Sequence, residues 1–250
     1  MARDNLLRST ILLTLDVVAT AFFAVMAAII SYFAARRENT THKVASLWGK
    51  TLLRISGVTV EVTGQENILP NTPLIFMANH QSNFDILALL ACIPAQFRWL
   101  SKKEVFYIPV MGHAMKRAGY ISIDRENRVK AIQSLDEAAQ KIKNGKSVMT
   151  FPEGTRSRDG KIRPFKKGMF HLAIKAGIPI IPLSIRGSRA IMPRKSLWIH
   201  PGKITMVIGK PIDVKEYSIE NRDELMTKVR NVIVHNFYNE TPETRGKNSI

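Results

Sequence analysis

The sequence predicts an α/β layer fold attached to an apolar N-terminal anchor. Short apolar runs alternate with longer segments of helical periodicity from residue 58 to residue 238, a pattern typical of strands alternating with helices. Because 45% of the 250 residues are hydrophobic, the chain has enough apolar side chains for one such core. We therefore expect the functional residues in the polar loops that follow the strands.

The anchor is the apolar segment 11–35, in which Asp16 is the charged residue. As one helix it would be roughly 37 Å long, more than the ~30 Å of a hydrocarbon core, so it could span a bilayer. Asp16 leaves a second possibility open, an interfacial or re-entrant helix that turns its acid away from lipid. Arg36 and Arg37 follow directly and favour a cytoplasmic location for the residues after them.

Residues 41–57 predict a second, amphipathic helix. An apolar stripe that includes Trp48 runs along it, and three basic residues lie elsewhere around the helix. The stripe fits a helix on anionic lipid with Trp48 at headgroup level, and it equally fits a helix packed onto the domain. The stripe consists of Val44, Leu47, Trp48, Thr51, Leu52 and Ile55, and the basic residues are Lys43, Lys50 and Arg54.

The rest of the chain is divided into elements by its periodicity and by Gly and Pro. Gly177, for example, stands where a helix would end. The predicted strands are 58–63, 73–78, 96–100, 120–123, 147–151, 178–185 and 204–208, and the predicted helices are 84–92, 105–117, 127–143, 168–175 and 219–238.

The loop from Asn79 to Asp85 carries the first candidate site. His80 ends a predicted strand, and Asp85 lies about one turn into the next helix. A carboxylate there can bind one imidazole nitrogen and stabilise the imidazolium that forms when the other nitrogen takes a proton. The pattern indicates a general base with an orienting acid, although a polar strand-to-helix turn has the same appearance. Ser82 fits a helix cap better than a nucleophile, because no GxSxG turn surrounds it.

The second candidate loop runs from Phe151 to Ser157 and follows another predicted buried strand. It holds Glu153 and Arg156 close to a proline and a glycine, and basic residues continue as far as Lys167. Guanidinium groups offer planar, paired donors that suit a phosphate. For the cations after Arg156, a solvated basic loop is an equally good interpretation.

Together these loops resemble the glycerolipid acyltransferase family, whose signature is an NHxxxxD block followed by FPEGTRS. Two further blocks match in the right order, the second at 102–109 and 119–125 and the fourth at 178–182. Four ordered blocks are far more specific than any one of them. The resemblance covers residues 57–213 and is nearest to the bacterial 1-acyl-glycerol-3-phosphate acyltransferases. It implies a mixed sheet flanked by helices, with an N-terminal helical segment on the membrane.

The resemblance also implies a reaction and a set of site residues. His80 and Asp85 would activate the sn-2 hydroxyl of 1-acyl-glycerol-3-phosphate for attack on a thioester, which gives phosphatidate. The acyl donor would be acyl-CoA or acyl carrier protein. No cofactor is expected, and no metal, since the His residues lack an HExxH or Cys/His spacing. The implied substrate-binding residues are Arg125, Glu153, Gly154, Thr155 and Arg156, and Lys103 or its neighbour Lys102 could supply a further positive charge.

The formal net charge of +17 calls for an anionic partner. Nucleic acid, an anionic membrane face and phosphate-bearing substrates all qualify. Because no nucleic-acid motif with interleaved aromatic residues accompanies the cations, we expect membrane lipid and lysophosphatidate rather than nucleic acid. The single cysteine, Cys92, indicates a reducing compartment. We expect the inner, cytoplasmic membrane, with the catalytic domain on its cytoplasmic side.

Three regions are expected: an anchor at 1–56, an acyltransferase domain at 57–240 and a flexible tail at 241–250. Two other functions remain open at this stage. One is acyl transfer to another lysolipid acceptor, such as lyso-ornithine lipid. The other is a non-enzymatic, membrane-tethered binder of anionic lipid or nucleic acid. The sequence makes no prediction of the oligomeric state.

Overall fold

The computed structural model describes residues 2–34, 37–124 and 127–239, and these ranges hold eight α-helices and seven β-strands. The predicted tail at 241–250 lies outside them. The helices are α1 (Ala2–Phe33), α2 (Arg37–Ile55), α3 (Phe84–Cys92), α4 (Met111–Arg117), α5 (Arg128–Lys143), α6 (Gly168–Ala176), α7 (Ser188–Ile191) and α8 (Arg222–Tyr238). The strands are β1 (Val58–Thr63), β2 (Ile75–Ala78), β3 (Phe97–Lys102), β4 (Ile121–Ile123), β5 (Ser147–Thr150), β6 (Ile180–Arg186) and β7 (Gly202–Ile208).

The described strands form one mixed sheet in the order β1-β7-β6-β2-β5-β3-β4. Strands β6, β2, β5, β3 and β4 are parallel to one another, whereas β7 runs antiparallel to β6 and carries β1 parallel to itself. This confirms the mixed α/β sheet flanked by helices. Because the five parallel strands all end at the same edge, the loops that follow them meet there.

The centre of the sheet is buried on both faces. In β2, Phe76 and Ala78 face α2 and α3, whereas Ile75 and Met77 face α5, α6 and α8, and all four side chains are fully buried. A strand covered on both sides has no polar alternation, which explains the continuous apolar runs in the sequence. The sheet thus gives the loops at its edge a rigid support.

The predicted helix at 105–117 is wrong, because the chain breaks at Pro109. A 3₁₀ turn covers Lys103–Tyr107, and α4 begins only at Met111. Proline has no N–H for a helix and pushes the residue before it out of the helical region. Val110 completes the break with φ 60°, an unusual value for a β-branched residue. The short helix α7 was also not predicted, since four residues are too few to show a helical periodicity.

Helices α1 and α2 form an antiparallel pair that packs on the α3 side of the sheet. Contacts are spread along α1, with α2 and the residue after it at Asp16 and Thr20, and with the domain at Ser9 and Tyr32. Asp16 is only 9% exposed and accepts a hydrogen bond from Ser56 Oγ (3.3 Å), so its acid faces protein. The other contacts are Ser9 Oγ to the Ile199 carbonyl (3.5 Å), Trp48 Nε1 to Thr20 Oγ1 (3.1 Å), and the Tyr32 ring stacked on His113 (6.0 Å between centroids).

The apolar stripe of α2 faces the domain, as the packing interpretation predicts. Val44 and Leu52 are buried, and Trp48 packs against the core instead of pointing to solvent. Leu47 is the exception, because it is 52% exposed. It shares the outer face of α2 with the exposed cations Lys43, Lys50 and Arg54.

A buried arginine fastens the start of α2 to the sheet. Arg98 in β3 has no exposed surface, and its Nη2 donates to Asn39 Oδ1 (2.6 Å) while its Nε lies 3.5 Å from the Glu38 carboxylate. Next to it, His42 Nδ1 and the Tyr120 hydroxyl lie 2.9 Å apart. Burial and the Arg98 charge lower the pKa of His42 to about 3, so this imidazole is neutral at physiological pH.

Gly49→Leu should destabilise the protein by pushing α2 away from α3. A Cβ at Gly49 would lie 2.9 Å from the Leu87 carbonyl oxygen, which is backbone and cannot rotate away. Overpacking of this kind costs about 1–3 kcal/mol, or roughly 2–12 °C in Tm for a chain of this size. Thermal unfolding in detergent micelles measures the shift. Gly202→Leu is the matched control, because its Cβ would meet Ile191 at an ordinary 3.5 Å; an equal loss in both variants would contradict the prediction.

Candidate active site

His80 and Asp85 are held together at the carboxyl end of β2. His80 Nδ1 lies 2.8 Å from Asp85 Oδ2, and the same oxygen accepts the backbone N–H groups of Gln81 (2.6 Å) and Ser82 (2.8 Å). Asp85 has no exposed surface, so three donors compensate a buried charge. Because Nδ1 is bound to the carboxylate, the other ring nitrogen, Nε2, is available for a substrate proton.

The plane of the His80 ring is fixed by stacking. The centroids of the His80 and Phe151 rings lie 3.8 Å apart, and the angle between the ring planes is 7°. Phe151 in turn packs against Trp99. Phe151 belongs to the second candidate loop, which follows β5. The backbone joins the two loops as well, since the N–H of Ser157 donates to the His80 carbonyl (2.8 Å).

Glu153 connects the two loops from the inside of the protein. Its Oε1 accepts the backbone N–H of His80 (2.7 Å), and its Oε2 accepts that of Arg163 (2.8 Å). The side chain is 3% exposed and is not part of the cavity lining described below. Burial raises the pKa of Glu153 to about 7, although the two backbone hydrogen bonds oppose the shift. The structure thus gives Glu153 contacts with backbone, not with the space where a substrate would lie.

A cavity of about 440 Å³ opens beside His80 and runs between the helices. At the His80 end it is polar, with Gly154, Thr155 and Arg156 in its wall. Away from His80 the wall is mainly apolar and is built by four helices. This apolar part includes Phe23 and Ala27 of α1, Val44 and Trp48 of α2, Leu90 of α3, Met115 of α4, and Tyr120.

Gly154 and Arg156 lie in the polar part of this wall, where their loop turns. Gly154 has φ 75°, a backbone conformation that suits glycine. Arg156 is half-buried, and burial together with the neighbouring Arg194 lowers the pKa of its guanidinium. The predicted pair of Gly154 and Arg156 therefore lies on the same cavity as His80, as does the exposed Thr155.

The other predicted ligands are placed differently. Lys103 Nζ lies 3.0 Å from Asp124 Oδ2, and it is the exposed Lys102, not Lys103, that lines the cavity. Arg125 lies outside the described residues. The basic loop after Arg156 is exposed at Arg158, Lys161, Arg163, Lys166 and Lys167, as expected of a solvated loop.

Sequence reasoning missed Arg194. It lies far along the chain, between α7 and β7, yet it lines the cavity together with His80 and Arg156. No block of the family signature contains it, and its neighbours Pro193 and Lys195 look like an ordinary loop. Only the parallel ends of β2, β5 and β6 bring its segment to the site. No group of three or more His, Cys, Asp or Glu side chains suited to a metal occurs in the described part of the chain.

The sequence model of the acyltransferase family matches residues 59–186, just over half of the chain. This chain belongs to the acyltransferase family. The matched range contains His80, Asp85, Glu153 and Arg156, and it ends before Arg194. The resemblance expected from the sequence blocks is thereby confirmed.

Among characterised relatives, a chloroplastic 1-acyl-sn-glycerol-3-phosphate acyltransferase of Brassica napus is 37% identical over 178 residues, which are 70% of this chain and 51% of the relative. The human alpha form is 30% identical over 90% of this chain and 80% of its own length. The chain spans about half to two thirds of the plant and algal relatives that it matches. The crystal structure of PlsC, the 1-acyl-sn-glycerophosphate acyltransferase of Thermotoga maritima, superposes with a TM-score of 0.83 at 29% identity, covering 100% of this chain and 99% of that one.

Glu153→Gln should change how stability depends on pH. The pKa of Glu153 is raised from 4.5 to about 7 in the folded protein, so the folded state keeps a proton that the unfolded chain has released. Stability from this group is therefore present at low pH and is lost as the pH rises through about 7. The Tm of the wild type minus that of the variant should decrease between about pH 5 and about pH 8.

Thermal unfolding in detergent micelles at a series of pH values measures this difference. Glu216→Gln serves as the control, because Glu216 is exposed and its replacement should give a difference that is flat with pH. A Glu153 difference that stays flat or increases over the same range would show that the carboxylate is ionised throughout.

Proposed function

We propose that this protein transfers an acyl chain from a thioester to the sn-2 hydroxyl of 1-acyl-glycerol-3-phosphate, giving phosphatidate. The observation that carries the proposal is the His80–Asp85 pair, 2.8 Å apart, on a cavity that has Arg156 near it and an apolar interior beyond. A general base, an anion-binding side chain and an apolar channel are the three parts that acylation of a phosphorylated lipid needs. The names of the relatives agree with this acceptor.

In the proposed reaction, His80 Nε2 removes the proton from the sn-2 hydroxyl while its oxygen attacks the thioester carbonyl. The imidazolium that forms is stabilised by Asp85 through Nδ1. When the tetrahedral intermediate collapses, the carbon–sulfur bond breaks and the leaving thiolate takes the proton from Nε2. The imidazole returns to its neutral form, and no covalent enzyme intermediate, cofactor or metal is involved. The backbone N–H of Thr155, in the cavity wall, is our candidate for stabilising the oxyanion.

Within this proposal Glu153 is a positioning residue. Its two oxygens hold the backbone of His80 and of Arg163, so it fixes the distance between the base and the basic loop. Arg156 binds the phosphate of the acceptor, and Lys102 adds a second charge on the same cavity. The apolar stretch between α1, α2, α3 and α4 receives an acyl chain.

His80→Ala should abolish turnover while the protein stays folded. A positioned general base contributes about 10²–10⁴-fold to the rate, and the loss should appear in kcat. The assay uses purified protein in detergent, with lysophosphatidate as acceptor and acyl-CoA or acyl carrier protein as parallel donors. His200→Ala is the matched control, because His200 is exposed and its loss should leave the rate unchanged.

The acceptor is tested in the same assay by a panel of lysolipids. Turnover with lyso-ornithine lipid and not with lysophosphatidate would overturn the acceptor while leaving acyl transfer intact. Absence of turnover with all acceptors and both donors would overturn the enzymatic proposal and favour a membrane-tethered binder. A full rate in His80→Ala would remove His80 from the mechanism.

We further propose that α1 lies in the plane of the membrane surface and does not cross the bilayer. Its segment Arg8–Phe33 is long and apolar enough to span, but contacts from Ser9 to Tyr32 hold about 35 Å of it against the domain. A spanning α1 would draw that charged domain into the hydrocarbon. The opposite face of α1 exposes apolar side chains such as Phe22 and Phe33. We assign this face to the cytoplasmic side of the inner membrane.

A depth measurement distinguishes the two arrangements. Cysteines that replace Ile11, Phe22 and Phe33, all exposed on α1, carry a fluorophore in a Cys92→Ala background, with the full chain in vesicles of phosphatidylethanolamine and phosphatidylglycerol. Lipids with quenchers at known depths should report the same shallow depth for all three labels. If the label at residue 22 lies at the centre of the bilayer and the labels at residues 11 and 33 lie near its opposite surfaces, α1 spans the membrane. The control label at Val129, exposed on α5, should be reached only by an aqueous quencher.

A further inference from the structure

We propose that Arg194 and Arg156 together form a binding site for a phosphate monoester at the cavity beside His80. The inference rests on the proposed function for the identity of that ester, the headgroup of the acceptor. It adds a residue that lies outside every sequence block and outside the residues matched by the family model. The first observation is the position of Arg194 in the cavity wall, together with His80 and Arg156.

The two arginines are held close to each other by a direct contact. Arg194 Nη1 donates to the carbonyl oxygen of Arg156 at 2.9 Å. A carbonyl satisfies one N–H of the guanidinium and neutralises none of its charge. The proximity also has an electrostatic effect, since burial and then the charge of Arg194 lower the pKa of the Arg156 guanidinium.

Neither guanidinium forms an ion pair within the described part of the chain, and the nearest compensation is the longer-range charge of Asp85 on Arg156. Among the described residues, no carboxylate lies within 4.0 Å of either guanidinium. Two like charges on one half-buried wall repel each other, because screening is weaker there than in water. An anion bound between the two groups would relieve this repulsion.

The segment that carries Arg194 is fixed in place, so the contact is not a chance position of a long side chain. Ser82 Oγ, in the first candidate loop, donates to the carbonyl of Met192 (2.8 Å). Ile191 is 1% exposed, and its carbonyl accepts the N–H of His200 (2.9 Å). Ser82 thus ties the Arg194 segment to the same turn that holds His80.

The chemistry of the pair selects a phosphate monoester. Two guanidinium groups supply two positive charges and planar, paired donors, which match a dianion with three terminal oxygens. A carboxylate would neutralise only half of that charge. Phosphate monoesters occur on the acceptor, at the glycerol headgroup, and on a coenzyme A donor, so the experiment must separate these two sources.

Binding is measured on the full chain in detergent micelles in a His80→Ala background, so that no turnover occurs. The probes are 1-acyl-glycerol-3-phosphate, the phosphate-free 1-acylglycerol of the same chain length, and coenzyme A, each titrated by calorimetry. Arg194→Met should raise the Kd for 1-acyl-glycerol-3-phosphate about 10- to 100-fold, the usual effect of a lost hydrogen bond to a charged group. The Kd for 1-acylglycerol should not change, and Arg194→Lys should recover part of the loss.

Lys195→Met is the matched control, because it removes the neighbouring cation, which is exposed, and should leave all three Kd values unchanged. A loss confined to coenzyme A would support the phosphate site and assign it to the donor. Equal losses for the phosphate-bearing and phosphate-free lipids in a variant whose thermal unfolding matches that of the parent protein, or no loss for any probe, would overturn the site. Binding of the lipid without phosphate also reports folding, since a misfolded variant would lose that ligand too. If Arg194→Met is misfolded, the Arg194→Lys variant is used for the test instead.

Kinetics with intact His80 separate this inference from the proposed function. If the wild type turns over lysophosphatidate, Arg194→Met should raise KM for the acceptor with kcat nearly unchanged, the signature of uniform binding. An unchanged KM would overturn the inference and leave the function standing. If the wild type shows no turnover while phosphate-dependent binding is lost in the variant, the function fails and the site remains.

Discussion

The buried carboxylate of Asp85 holds the turn on which the candidate site depends. A charge without solvent must be compensated, and here one oxygen accepts the imidazole and two successive backbone N–H groups. The backbone after β2 therefore has to curl around the first turn of α3. The same hydrogen bonds that compensate the buried carboxylate also set the direction in which His80 points, so one set of contacts shapes both the turn and the candidate site.

A second constraint is the sheet itself. Because β6, β2, β5 and β3 are parallel, residues that are more than one hundred positions apart in sequence meet at one edge. Small groups then join the loops to one another. Glu153 connects the turn of His80 with the basic loop, and Ser82 connects it with the segment of Arg194. The polar end of the cavity wall is thus assembled from loops that the sheet and these hydrogen bonds hold in place.

Much of this architecture could be read from the sequence. A strand that is buried on both faces, such as β2, leaves a continuous apolar run that is easily recognised in the sequence. Helix α3 was predicted with its observed bounds at 84–92. The His80–Asp85 contact was predicted as well, because residues five positions apart across a helix start are close by local geometry. Gly154 and Arg156 were found because they belong to a recognisable block.

What could not be predicted depends on contacts that are distant in sequence. The polar contacts of Arg98 with α2 have no local signal, since a basic residue in a strand pattern is ordinarily taken for an exposed one. The break at Pro109 was missed because the apolar spacing continues across it. Glu153 was interpreted as a ligand on its motif alone, and only its two backbone partners indicate a supporting position. Arg194 lacks a motif and reaches the site through topology.

The position of α1 has an evolutionary consequence. Phe23, Ala24 and Ala27 of this helix form part of the cavity wall, while its outer residues are exposed and apolar. A generic membrane tether could drift freely in sequence or be exchanged for another hydrophobic segment. In the arrangement proposed above α1 cannot, because the bilayer constrains one side of the helix and the cavity wall constrains the other.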